Sequence, residues 1–314
     1  MGSTMTTLLT LLLAPQIAVH NPVLTGADPG VTVVGDTVWL YPTDGTHRQG
    51  AAFWAFSSKD LKTWKESGPI LRFDDIPWIA EDKAPWHGAW APAMAQKGEK
   101  FYLYYSVGPQ NPTPSRLGVA VGDSPAGPFK DSGKALFTGG DGFEAIDPMV
   151  FTDPKSGASI LYAGGSAGAK LRAWVLDDTM MGLKREVPVQ TPKGFTEGVF
   201  MHYRKGTYYL SYSHGGWRDS SYSVHYATGN NPFGPWNYRG QILGSDAIRK
   251  GPGHHSIIQK PGTDEWVIAY HEWNKRQGDG PYRGQREIAF DRIQYEKNGF
   301  IRPVAMTDTP PAWP

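Results

Sequence analysis

Apolar residues recur along the chain at every second position in short runs, each bounded by Gly, Pro, Asp or Ser. "KFYLYYSVG" (100–108), "SILYAGGS" (159–166), "GTYYLSYSHGG" (206–216) and "EWVIAYHEWN" (265–274) are examples, and each follows a tight-turn signal such as "KGEK", "DPKSG" or "RKG". Long stretches of helical period are missing, so the pattern predicts an all-β chain. A longer period appears when the runs are aligned. Five units begin at Asp28, Ala91, Asp147, Glu197 and His254, roughly 50 to 60 residues apart. Each passes through the same parts: a strand, a turn, a second strand of the "YLYYS" kind, a third strand, and an outer edge echoed in "DLKTWKESG", "GPFKDSG" and "GPWNYRG". Four short strands per unit, five units and no helices between them predict a five-bladed β-propeller. A two-sheet sandwich does not explain the repeated order of parts, and the missing Trp-Asp dipeptide disfavours a WD40 scaffold. The segments "QIAVHNPVL" (16–24) and "GFIRPVAM" (299–306) are expected to close the ring by pairing in a shared blade.

Composition narrows the function classes. Of 314 residues, 39% are hydrophobic, enough for a substantial core, and 19% are charged with a net charge of +1, which leaves no electrostatic footprint for nucleic acid or an anionic membrane. Cys is absent, which removes disulfides, thiolate metal sites and a Cys nucleophile. Aromatics reach 13%, with 12 Trp and 15 Tyr; such rings stack on sugar faces, although strands also favour them. The apolar run within residues 1–15 reads as a leader remnant outside the fold, with export slightly favoured, and residues 16–314 as one propeller domain, expected to be monomeric.

The chemistry lies in acids at equivalent places. The innermost strands of a propeller line its central channel, so Asp28, Asp147 and Glu197 are expected to converge on one mouth. An isolated "ADP" or "IDP" is usually a turn. Turn chemistry does not, however, favour acids in three units and "WAP" or "GHH" in the others.

In this order, "GADPGV", "AWAPAM", "AIDPMVF", "TEGVFM", "GPGHHS" and "REIAFDRI" resemble glycoside hydrolase family 43, the inverting arabinanases, arabinofuranosidases and xylosidases, over about residues 20 to 305. The resemblance implies Asp28 as general base, Asp147 as the carboxylate that tunes and orients the acid, and Glu197 as general acid. Hydrolysis with inversion needs this division: one carboxylate activates water while a protonated carboxyl serves the leaving oxygen. The related retaining fructan- and sucrose-active propellers typically carry Arg before the second Asp and Cys after the Glu; here Ile146 and Gly198 stand there. Trp90, Ile146, Phe53, Ser166 and Arg286 are the expected substrate contacts, Arg286 also reaching a substrate hydroxyl or Asp147. Trp54, Trp86, Trp217 and Trp273 are further stacking candidates. The resemblance also implies a structural calcium ion in the central channel, held by His254 and water, and no organic cofactor; His255 belongs to a second layer or a loop. The expected activity is exo-removal of α-L-arabinofuranosyl side chains from plant cell-wall arabinan or arabinoxylan. The first-blade loop "YPTDGTHRQGAAFWAF" (41–56) would wall off one end of the cleft. β-Xylosidase and a non-catalytic carbohydrate-binding propeller are the alternatives.

Overall fold

The computed structural model describes residues 20–43 and 52–313; the segment 1–15 and the tip of the first-blade loop lie outside them. Five antiparallel sheets stand around one axis, a five-bladed β-propeller. Their innermost strands are Ala27–Val34, Ala89–Lys97, Met149–Thr152, Glu197–Arg204 and Arg249–Gln259. Each innermost strand touches the next, and the fifth touches the first.

The second strands, such as Lys100–Val107, are apolar on both faces because each blade is packed between two others. Phe101, Leu103 and Tyr105 point toward blade one, where they meet Tyr41, Phe53 and Leu71. Tyr102 and Tyr104 point the other way, onto Leu161, Ala163 and Trp174 of blade three. The same alternation repeats around the ring, with Tyr208, Leu210 and Tyr212 facing blade three and Tyr209 facing blade five. Buried tyrosines fit this role because their rings fill the wedge while the hydroxyl finds an acceptor: Tyr162 donates to Pro232 O at 2.7 Å and Tyr208 to Asp153 Oδ1 at 2.7 Å. Truncating a fully buried residue such as Leu103 to Ala would cost about 2–5 kcal/mol.

Three features depart from the sequence expectation. The ring closes through the N-terminal strand Leu24–Thr25, which pairs with Glu287–Ile293 as the outermost strand of blade five; residues 299–306 do not pair with it. Asn21 extends this closure, donating to Phe290 O at 2.7 Å and accepting from Phe290 N at 3.1 Å. The outer edge of blade two is split into two short pieces, Lys130–Asp131 and Phe137–Thr138, both paired with Arg116–Gly122. Finally, blades one and two are not joined by plain loop: two 3-10 turns, Phe73–Asp75 and Ile79–Asp82, intervene. The buried Arg116 holds them by donating to Trp78 O and pairing with Asp82 at 2.7 Å.

Candidate active site

Four of the five innermost strands carry a one-residue bulge at the channel-facing start. Ala27 pairs with Thr43 and Gly30 with Tyr41, so Asp28 and Pro29 together oppose one residue. The same step separates Trp90 from Ala93, Glu197 from Phe200 and Gly253 from Ser256. The first bulged residue of these four, and Asp147 at the matching place ahead of the blade-three strand, have left-handed backbone: Asp28 (φ 48°), Ala91 (φ 42°), Asp147 (φ 56°), Gly198 (φ 61°) and His254 (φ 37°). Four of these are not glycine, a strain of order 1 kcal/mol or more each that clusters at one end of the channel. Glu197 therefore does not occupy the same place as the two aspartates. It stands one residue earlier, level with Ala27, Trp90 and Ile146, and enters the site from its own side.

A bulge frees a backbone N–H from the ladder, and the preceding blade supplies the acceptor. Ala91 N donates to Thr43 Oγ1 at 2.7 Å, Asp147 N to Ser106 Oγ at 3.0 Å, His254 N to Ser213 Oγ at 2.8 Å, and Asp28 N to His271 Nδ1 at 3.1 Å. The corresponding residue of blade three is Gly164, which has no side chain to offer. There the carboxylate of Asp147 accepts from Gly198 N at 3.0 Å.

These constraints bring Asp28, Asp147 and Glu197, each less than a tenth exposed, onto one cavity of about 320 Å3. Arg286 Nη1 donates to Asp28 Oδ1 at 2.9 Å. His254 Nδ1 lies between the two aspartates, 3.5 Å from Asp28 Oδ1 and 3.4 Å from Asp147 Oδ2. Burial by itself would raise the Asp28 carboxyl, but Arg286 and then His254 hold it well below the usual carboxylate range. Burial, followed by the charge of Asp147, pushes Glu197 up to about 7. Burial works against a charge on His254, but Asp147 and Asp28 outweigh it and raise the imidazole to about 9. His271 is held neutral, lowered to about 4 by burial and by Arg286, which suits its part as acceptor of the Asp28 N–H. The result at neutral pH is an ionised Asp28, a cationic His254 and a Glu197 poised to give up a proton.

Trp86, Trp90, Gln110, Ile146, Ser166, Trp217, His254 and Arg286 form the rest of the wall. Trp86 and Trp217 are 52% and 42% exposed, and Trp217 lies under the Arg286 guanidinium at 4.9 Å. Phe53 is not in this wall. It is 1% exposed and packs on Phe73 and Tyr105, because its strand position turns into the interface of blades one and two. Trp54 packs against the core between blades five and one, and Trp273 is buried behind Trp217. Arg286 pairs with Asp28 rather than Asp147, and the Ser166 hydroxyl donates to Glu197 Oε2. The tip of the loop 41–56, which carries the expected walling role, lies outside the described residues.

Sequence reasoning missed Tyr222, whose hydroxyl donates to Glu197 Oε1 at 2.7 Å, as well as His271 and Gln110. It also missed the side chains that catch the bulges. Their signal was present, since Thr43, Ser106, Ser213 and His271 all lie in the last half of second strands, in "YPT", "YYS", "SYS" and "AYH".

Below the acids, His254 separates this cavity from a second, of about 270 Å3, lined by Val31, Met94, Val150, Phe200 and Ile257. A calcium ion wants six to eight oxygen donors. Among the described residues no three His, Asp or Glu are arranged to hold a metal, and His254 turns Nδ1 to two carboxylates as a cation. The side chains do not fit a calcium ion without a shell of water, and the chemistry below uses none.

A propeller whose channel mouth gathers three acids, one ionised and one poised near 7, within aromatic walls is built as a glycoside hydrolase. Residues 19–301 match the model of glycosyl hydrolases family 43, and the chain belongs to that family. It is 34% identical over 305 residues to the β-D-galactofuranosidase xynD of Aspergillus niger, covering 91% of this chain and 85% of that protein. It is 28% identical to the xylosidase/arabinosidase 43A of Humicola insolens, covering 88% and 95%. Among solved structures, a thermostable family-43 glycoside hydrolase superposes with a TM-score of 0.77 at 27% identity, covering 94% of this chain and 99% of that one.

Proposed function

We propose that the protein is an inverting, exo-acting furanosidase that removes terminal α-L-arabinofuranosyl residues from arabinan or arabinoxylan. The observation that carries this is the opposed protonation of Asp28 and Glu197 across one cavity. Asp28, ionised, takes a proton from water as the water oxygen bonds to the anomeric carbon. Glu197 gives its proton to the glycosidic oxygen as the bond from carbon to that oxygen breaks, and the two products are the free sugar and the shortened polymer alcohol. Asp147 keeps Glu197 protonated by its charge and holds the acid's backbone through Gly198 N. The acids lie buried in a cavity that Trp90, Ile146 and Arg286 also line, with Arg286 on the side of the base.

The 34% identity to a β-D-galactofuranosidase favours a second reading. β-D-Galactofuranose and α-L-arabinofuranose share configuration at every ring carbon and differ in the exocyclic carbon chain, so one triad serves either ring. β-Xylosidase is the pyranose alternative, supported by the xylosidase/arabinosidase relative. Proton NMR of the first minutes of hydrolysis separates them, using branched arabinan, arabinoxylan, xylo-oligosaccharides and a galactofuranoside. Arabinose released first as the β-anomer supports the proposal, and galactose in its place selects the second reading. Xylose alone selects the xylosidase, a retained anomer removes Asp28 from the role of base, and bound but uncleaved sugar leaves a binding protein.

A further inference from the structure

Glu197 has two carboxyl oxygens in different surroundings, and the structure separates their tasks. Oε2 lies beside the Ser166 hydroxyl, and Ser166 lines the cavity. Oε1 points away, to the hydroxyl of Tyr222 at 2.7 Å. Tyr222 is fully buried and its ring lies parallel to that of His271, centroids 5.6 Å apart. It occupies space that only glycine leaves open, since a Cβ on Gly253 would lie 2.1 Å from the tyrosine ring. Behind it, Ser213 hydrogen-bonds to the Tyr222 hydroxyl while its Oγ accepts from the backbone N–H of His254 at 2.8 Å.

The chain has a direction. A backbone N–H can only donate, so His254 N gives to Ser213 Oγ, and Ser213 is left with its own proton to give. The Tyr222 oxygen receives that proton, so the phenolic hydrogen is directed at Glu197 Oε1. With the phenolic hydrogen directed at Oε1, a protonated Glu197 keeps its acidic hydrogen on Oε2, where the Ser166 hydroxyl, a donor to the ionised carboxylate, turns to accept it. We infer that Tyr222, backed by Ser213, is a positioning residue that keeps Glu197 Oε1 as an acceptor and thereby confines the catalytic proton to Oε2, on the cavity side. This rests on the reading of Glu197 as general acid.

Without Tyr222 the proton would be shared between two oxygens, one of them turned away from the leaving group. Tyr222→Phe keeps the ring and its packing while removing the hydroxyl. The test measures kcat/KM of wild type, Tyr222→Phe and Ser213→Ala on aryl arabinofuranosides whose leaving phenols span a wide range of acidity. Unactivated leaving groups need a proton, and such assistance is worth about 10²–10⁴-fold. The expected result for Tyr222→Phe is a loss of about 10²-fold on the least acidic phenols and within about 5-fold on the most acidic, with a smaller loss of the same pattern for Ser213→Ala.

The alkaline limb of the pH profile gives the sign of the hydrogen bond. Glu197 is faced by Asp147, His254, Ser166 and Tyr222, and Tyr222→Phe removes one donor to its ionised form. The limb is expected to move to higher pH; a move to lower pH would mean that Oε1 carried the proton and Tyr222 accepted it, which overturns the inference. An equal loss on all leaving groups also overturns it and makes Tyr222 a packing residue. If Glu197→Gln keeps wild-type activity on the poorest leaving group, the acid assignment fails instead, whatever Tyr222 does.

Discussion

Asp147 and Gly198 come from adjacent blades, and the carboxylate of the first accepts the backbone N–H of the second at 3.0 Å. In the other blades the equivalent N–H is taken by Thr43, Ser106, Ser213 or His271, so Asp147 performs in blade three what a neutral side chain performs elsewhere. It also supplies the charge that, after burial, raises Glu197. The two tasks separate by mutation. Asp147→Asn retains an acceptor for Gly198 N but loses the charge, so the alkaline limb of activity should move to lower pH while the melting temperature changes little. Asp147→Ala loses both and should melt several degrees lower, an effect of about 1–3 kcal/mol from leaving a buried N–H unpaired. Parallel pH profiles and thermal denaturation of the two variants check this; an Asn variant whose limb stays in place contradicts the charge argument.

The protonation states set the shape of the wild-type profile. The general acid works only while protonated, so kcat/KM should fall as pH rises through about 7, the value of Glu197. The base works only while ionised, and Asp28 is held well below the carboxylate range. Its limb should therefore lie below pH 4, giving a broad plateau on the acid side. Replacing Arg286 by Met removes the strongest influence opposing burial at Asp28, and the acid limb should move upward. Initial rates between pH 3 and 9 on both proteins test the two limbs independently.

Much of this architecture was legible in the chain because a propeller repeats. Period-two runs marked the strands, and the spacing of "ADP", "IDP" and "TEG" set three acids at one mouth. What was not legible depends on single-residue offsets and on distance. The bulge that makes Gly198, rather than Glu197, the counterpart of Asp28 leaves the alternation of "EGVFMHYR" intact, so periodicity alone does not reveal it. Phe53 sits in a run apolar on both faces, where alternation does not say which side meets the cavity. The Arg286–Asp28 pair spans 258 residues and exists only because the N-terminal strand closes blade five beside Glu287–Ile293. Tyr222 lies outside every motif that drew attention to the acids.

Trp86 and Trp217 both stand exposed in the cavity wall, but their substitution should have different consequences. Trp217 supports Arg286, which holds Asp28, so Trp217→Ala should lower kcat as well as raise KM. Trp86 touches Trp90 edge to face at 5.9 Å and otherwise faces solvent. Trp86→Ala should raise KM on polymeric substrate about 5- to 10-fold, the worth of one aromatic contact, with kcat within about twofold. Steady-state kinetics on arabinoxylan separates the two patterns, and a Trp86 variant with unchanged KM would place the polymer elsewhere on the rim.

His254 links the site to the stability of the ring. Its folded-state value of about 9 lies above the ordinary value of 6.5, so the proton it holds favours the native state. That contribution is complete below about pH 6.5 and is lost as pH rises through 9. A shift of this size corresponds to about 3 kcal/mol, an upper figure because Asp28 and Asp147 share the interaction. Glu197 and the buried Glu272 change stability in the same direction, in windows that run from their ordinary 4.5 up to about 7 and about 8, so the difference between wild type and a histidine variant, rather than the wild-type curve alone, isolates the imidazole. The melting temperature of wild type should fall between pH 7 and 9.5. In His254→Gln, which has no proton to lose at this position, the fall over that interval should be shallower by the histidine's share, with Glu272 still contributing, and the protein should be less stable than wild type at pH 6. Equal slopes in the two proteins would mean that the imidazole is neutral in the folded state and that the two aspartates are compensated by Arg286 alone.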